Sequence, residues 1–169
     1  AQCRTIPRMA ERFDAIIVGG GIAGSGLGAV LARGGKSVLI LERSSQFEDM
    51  VRGEWVAPWG VVDAKRTGLY EVLLRANEHH ITSHVEYGDG IDPDAAEANV
   101  LDLGFLPGIP GPLAVGHPQA CQALFDAAIE AGATTVRGVT AVAVSPGPSP
   151  RVQYTVDGVA HEATCRIVA

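Results

Sequence analysis

Gly19, Gly21 and Gly24, followed about 20 residues on by Glu42, have the types and spacing of a phosphate- and ribose-binding unit. The three glycines stand at the fixed positions of G-x-G-x-x-G within residues 14–43, DAIIVGGGIAGSGLGAVLARGGKSVLILER. Each has a mechanical role. Gly19 permits a tight strand-to-helix turn, and Gly21 lets backbone approach a pyrophosphate where a Cβ would collide. Gly24 lets the helix lie close on the sheet. The phosphates would then rest on the free N–H groups and positive dipole at the helix start, beside Ile22 and Ala23. Glu42 can accept hydrogen bonds from both ribose hydroxyls of an adenosine.

The elements that must hold these groups are legible around them. Residues 15–18, Ala-Ile-Ile-Val, form a short β-branched run typical of a buried parallel strand. From 22 to 32 the period becomes helical, Gly34 and Gly35 stop it, and 37–41 is a second apolar strand ending at Glu42. Two other readings compete. Residues 15–32 carry no charge, and Gly20, Gly24 and Gly28 are spaced like a membrane helix-packing motif. Three consecutive glycines after a β-branched start make a poor membrane helix, however. A βαβ unit without a ligand is the other alternative.

Composition bounds the rest. A hydrophobic content of 47% with 19% charged residues is globular, and 169 residues can bury a sizeable core. The net charge of −6 and 5% aromatics argue against nucleic acid or an anionic membrane as partner. Cys3, Cys121 and Cys165 lack C-x-x-C spacing, so they read as free thiols in a reducing, cytoplasmic setting. Residues 1–12 have no apolar core and are expected to be a disordered leader.

Further along, Arg52 lies in an unusual Gly-Glu-Trp loop that ends at Pro58 and Gly60. It could grip a cofactor phosphate as a fork donor, or cover Trp55 or Trp59 on the surface. Helical stretches are expected at 61–65 and 70–76, broken by Gly68. Residues 81–87 read as a strand, 92–98 as an exposed acidic loop, and 100–105 as a strand pairing back. His79, His80 and His84 could suggest a metal, but no carboxylate or cysteine is in register, so none is expected. A Pro/Gly linker at 106–112 is expected to return the chain to the first sheet. His117-Pro118 then opens an amphipathic helix capped at Gly132, followed by strands at 134–136 and 139–144. A hairpin turns at Asp157-Gly158 between strands 151–156 and 159–166. The chain closes on apolar Ile167-Val168-Ala169, expected to be an exposed mid-strand edge, so 169 residues are taken as part of a longer protein.

The fingerprint, the Arg52 loop, the His117 helix and the closing hairpin occur together in one order. Over residues 13–169 this resembles the N-terminal part of the class A flavoprotein monooxygenases, the p-hydroxybenzoate hydroxylase-like family. The resemblance implies an α/β fold. It would be a Rossmann-like FAD-binding βαβ domain with a parallel sheet, a small β excursion and an antiparallel hairpin, incomplete at the C-terminus. The FAD-binding domain would take 13–78 and 114–169, and 79–113 would join the substrate-domain sheet. It further implies Gly19, Gly21, Ile22, Ala23 and Gly24 at the FAD pyrophosphate and Glu42 at the adenosine ribose. Arg43 follows that acid as is common in the family, Arg52 braces the cofactor, and His117 lies beside the flavin. Gly132, Ala133 and the strand near Val142 would reach the adenine through backbone groups. The later family motifs lie beyond residue 169.

On this resemblance the whole protein is an NAD(P)H-dependent monooxygenase, hydroxylating an aromatic or other electron-rich small molecule through a flavin hydroperoxide. The rest of the same protein is its expected partner, and no catalytic acid or base can be named. A geranylgeranyl-reductase-like or halogenase-like flavoenzyme, an NAD-dependent Rossmann dehydrogenase and a non-catalytic nucleotide-binding module are the alternatives.

Overall fold

The computed structural model describes residues 11–49, 55–76 and 79–169 of the chain. In order, its elements are β1 (Glu11–Val18), α1 (Ile22–Arg33), β2 (Val38–Leu41), β3 (Trp55–Val56), α2 (Pro58–Thr67) and α3 (Tyr70–Arg75). Then come β4 (His79–His80), β5 (Ser83–His84), α4 (Pro93–Glu97), β6 (Leu101–Asp102), β7 (Leu113–Ala114) and α5 (His117–Glu130). The chain finishes with β8 (Thr134–Val136), β9 (Val139–Ser145), β10 (Arg151–Val156) and β11 (Val159–Val168). Two compact units result, one running to Phe47 and resuming at Phe125, the other covering 48–124. Helix α5 begins in the second and ends in the first.

The first unit is built on a six-stranded sheet ordered β8-β2-β1-β11-β10-β9. The pairs β8·β2, β2·β1 and β1·β11 are parallel, whereas β11·β10 and β10·β9 are antiparallel. All four residues of β2 are buried, as a strand covered on both faces requires. Alternation divides the core between those faces. Ile16, Leu39 and Leu41 pack with Phe13, Val139, Val152, Ala163 and Cys165 on one side. Ile17 and Ile40 meet α1 on the other, where a Cβ on Gly28 would lie 2.5 Å from Ile40 Cδ1. Ile16, Ile17, Leu39, Ile40 and Leu41 are each at most 2% exposed, and such burial contributes about 1.5–3 kcal/mol per side chain.

The hairpin joining β10 to β11 turns at Asp157 (φ +50°) and Gly158 (φ +75°), the double left-handed geometry of a tight two-residue connection. Strand β11 lies between β10 and β1 as far as Thr164 and then runs on past β10 beside β1. The edge expected at 167–169 is half met: β1 pairs with one side of this stretch, while β10 stops opposite Thr164 and Ile167 is 64% exposed. Ala169 N–H donates to Ile16 O at 3.0 Å, and Val18 N–H donates to Ala169 O at 2.8 Å. Glu11 and Arg12, grouped above with the leader, belong to β1 because they pair with Ala163 and Thr164.

The second unit holds a three-stranded sheet ordered β3-β7-β4 and the short pair β5·β6. Helix α2 ends at Gly68 (φ +71°), as the breaker there implied. The linker before β7 delivers it to this small sheet and not to the first, because β7 pairs with β3 and β4. The stretch 92–98 is not a loop. Asp92 accepts from Asp94 N–H and Ala95 N–H, Pro93 opens the turn, and α4 follows. Of the strand expected over 81–87, the pair at Ser83–His84 forms. His80 has a structural place: Nδ1–H donates to Gly111 O (2.7 Å), so Nε2 is left to accept the Tyr70 hydroxyl (2.9 Å). Among the described residues no three His, Cys, Asp or Glu side chains gather as a metal site, and no helix is long and apolar enough to cross a membrane.

Candidate dinucleotide site

The strand-to-helix turn is fixed by backbone geometry. Gly19 takes φ +114°, which a side chain would strain, and its N–H donates to Leu41 O at 2.8 Å. A Cβ on Gly24 would stand 1.8 Å from Gly19 O, so the first turn of α1 can close on the strand end only with glycine there. A Cβ on Gly19 or Gly21 would meet nothing within 4 Å. Space is open where a pyrophosphate would approach. No side chain caps α1, and its first turn, with Ile22 and Ala23, carries no acid. The helix therefore presents N–H groups and a positive dipole end to that space. Buried Ser25 ties the turn down, its Oγ–H donating to Gly20 O at 2.6 Å.

Glu42 continues β2 and is 8% exposed. Its backbone is clamped on the neighbouring strands, Glu42 N–H to Val136 O (2.8 Å) and Val139 N–H to Glu42 O (3.1 Å). Its carboxylate accepts from Gly20 N–H at 2.5 Å and from Ser44 N–H at 2.7 Å. Burial pushes this carboxyl upward. The hydrogen bonds from Ser44 and Gly20 and the charge of Arg137 outweigh it, and the group is held below its ordinary value. Ionised, each oxygen keeps lone pairs for a further donor such as a ribose hydroxyl.

Gly19, Glu42, Arg43 and Val142 line one cleft of about 380 Å³, with Val18, Leu41 and residues 139–141. It sits at the carboxyl ends of β1 and β2, where open α/β sheets bind ligands. Gly21, Ile22, Ala23 and Gly24 form the adjoining turn and helix start. Arg52 lies outside the described residues. His117 opens α5 in the second unit, its Nε2 3.7 Å from Cys121 Sγ. Cys121 and Cys165 are buried free thiols.

Several residues of the site had no sequence signal. Gly20 occupies a variable position of the motif, yet a Cβ there would meet Phe125 Cε2 at 2.8 Å and Glu42 Cβ at 3.0 Å. Arg137 lies against both Phe47 and Phe125. Residues 139–141 line the cleft because β8 and β9 deliver them there. Spacing alone cannot place partners so far apart in the chain. The second unit has its own apolar cleft of about 470 Å³, lined by Trp55, Pro58, Trp59, Ile81, His84, Leu103, Phe105 and Pro112.

An open glycine turn, an uncapped helix start and a buried ionised acid beyond the second strand fit the pyrophosphate and ribose of a dinucleotide. The chain is 28% identical over 110 residues to the squalene monooxygenase of Candida glabrata, covering 65% of this chain and 22% of that one. The myxobacterial chondrochloren halogenase, a FAD-dependent halogenase, superposes with a TM-score of 0.74 at 25% identity, covering 94% of this chain and 36% of that one. The p-nitrophenol 4-monooxygenase of Pseudomonas putida shares the fold, with a TM-score of 0.76 at 16% identity over 94% and 40% of the two chains. The chain thus spans about a fifth of the squalene monooxygenase and well under half of either solved structure. A family model described as FAD binding domain matches residues 12–169, nearly the whole sequence, and the chain belongs to that FAD-binding family.

Proposed function

We propose that this chain is the FAD-holding N-terminal part of an NAD(P)H-dependent flavin monooxygenase acting on an electron-rich, aromatic small molecule. The observation that carries the reading is the single cleft joining Gly19, Glu42, Arg43 and Val142 beside the open, uncapped start of α1. Bound there, FAD would supply the redox chemistry, taking electrons from NAD(P)H and activating O₂. The chain's own residues bind and orient. Gly19, Gly21 and the N–H groups of Ile22, Ala23 and Gly24 receive the pyrophosphate. Glu42 would accept from the ribose, with Arg43 and Val142 lining the same cleft toward the adenine. On the family resemblance, Arg52 would brace the cofactor and His117 would lie beside the flavin. The named activities of the matched monooxygenases support oxygen transfer, and the apolar cleft with two tryptophans in the second unit suits an aromatic substrate. Free thiols at Cys121 and Cys165 suit a cytoplasmic setting.

A visible spectrum taken after FAD addition and desalting tests cofactor binding, and retained flavin bands are the expected result. Substrate-stimulated NAD(P)H oxidation by the full-length protein tests the monooxygenase step, and its absence from FAD-loaded protein would overturn it. The likeness to the chondrochloren halogenase favours halogenation as the second reading. Product analysis with and without halide separates the two.

A further inference from the structure

We infer that Arg137 is the positioning residue for Glu42, holding the acid and the loop after β2 in the geometry that grips the adenosine ribose. This rests on the FAD reading above and assigns a part of that site to a residue remote from the motif. Arg137 lies in the turn between β8 and β9. Its Cζ is 4.1 Å from the ring centre of Phe125 and 4.3 Å from that of Phe47, and the two rings pack edge to face at 5.9 Å. Its Nη1–H donates to Ser45 O at 3.1 Å.

These contacts close a circuit around the acid. Ser45 follows Ser44, whose N–H bonds Glu42, while Phe125 packs on Gly20, whose N–H bonds the other carboxylate oxygen. The backbone hydrogen bonds from Gly20 and Ser44 that orient Glu42 are thus carried by segments that meet at Arg137. A planar guanidinium can lie against two aromatic rings while its edge still donates to a carbonyl, which an ammonium cannot reproduce. The same cation also supports the ionised state of the carboxylate. Among the described residues Arg137 is the cation whose charge acts on that carboxylate, and Arg43 lines the same cleft.

The test measures FAD affinity from pH 4 to 8 and follows the Glu42 carboxyl by ¹³C NMR in the ligand-free protein, for wild type, Arg137→Met and Arg137→Lys. Arg137→Met is expected to weaken FAD about tenfold, the scale of a lost charge-assisted contact. It should also move the Glu42 midpoint upward. Arg137→Lys should bring the midpoint back toward wild type while affinity stays reduced. A packing role alone would lower thermal stability and leave the midpoint and affinity of folded protein unchanged, which would overturn the inference. Should Arg137→Met not fold, Arg137→Gln gives the same two readouts. Wild-type protein that binds no FAD would refute the underlying reading itself, a result distinct from wild-type binding that the variants leave unaltered.

Discussion

Gly21 and Gly24 stand three residues apart in one motif, yet the structure requires them to fail differently when replaced by alanine. A Cβ on Gly24 falls 1.8 Å from Gly19 O and 3.1 Å from Ile17 Cγ2, against 3.4 Å for ordinary contact. The nearer clash is with backbone, so no rotamer change relieves it. Overpacking of this kind costs about 3 kcal/mol, and better helix propensity returns about 1 kcal/mol. Gly24→Ala should therefore lose about 2 kcal/mol, or about 4–8 °C in Tm for a domain of this size. Gly21→Ala meets nothing within 4 Å at φ −72°, and costs at most about 1 kcal/mol through poorer N-capping. Its penalty appears with the ligand. FAD at a hundredfold its Kd stabilises the wild type by about 2.7 kcal/mol, and a methyl group in the pyrophosphate's path should abolish that increment. Thermal unfolding of both variants, with and without FAD, separates the cases. Gly24→Ala within about 0.5 kcal/mol of wild type would refute the packing argument. A full FAD-induced rise in Gly21→Ala would show that the open side of the turn is not where the phosphates lie.

Gly28→Ala drives a Cβ to 2.5 Å from Ile40 Cδ1, the atom that Ile40→Val removes. Each single change should cost about 1 kcal/mol, while urea unfolding of the pair should recover most of both losses; additive losses would deny the contact. Glu42→Gln leaves one backbone N–H, of Gly20 or Ser44, facing an amide donor, an expected loss of about 1–3 kcal/mol by chemical denaturation. Because the folded carboxyl titrates below its ordinary value, Glu42 contributes stability above its unfolded pKa. That contribution fades as pH falls through the folded pKa, so the acid limb of the stability profile should flatten in Glu42→Gln. Gly158→Ala forces a Cβ into φ +75° and should cost about 1–2 kcal/mol, measured by thermal unfolding.

The βαβ unit was legible because its signals are local. β-branched residues flank the glycines, the period switches at Ile22, and an acid ends the second strand. The hairpin at Asp157-Gly158 was equally local. Gly20 was not readable, since what forbids a side chain there is Phe125, brought in from the middle of α5. Arg137 escaped for the same reason, as its partners Phe47 and Ser45 belong to a distant loop. The misreading of 92–98 was avoidable. Asp92-Pro93 is a helix start signal, outweighed by the stretch's acidity and short length. The edge expected at 167–169 was legible because the apolar run outlasts the hairpin, β10 reaching only Thr164; that β1 covers its other side was not, because pairing order in a sheet is a long-range property.

That pairing sets a timetable for synthesis. Strands β1 and β2 meet across a short connection, but β1 finds its other neighbour in β11, as Glu11 opposite Ala163 and Ile16 opposite Val168. A ribosome adding about 5–20 residues per second needs roughly ten to thirty seconds to deliver the missing strand. Throughout that interval the nascent chain displays one unpaired apolar edge beside Ile16 and Val18. High contact order of this kind slows folding and lengthens exposure to aggregation. Val18, which lines the nucleotide cleft, donates its N–H to Ala169, so that wall of the cleft consolidates only once β11 has been made. FAD is then a ligand of a sheet in which β11 has already paired with β1, and stabilises only chains that have made that pairing.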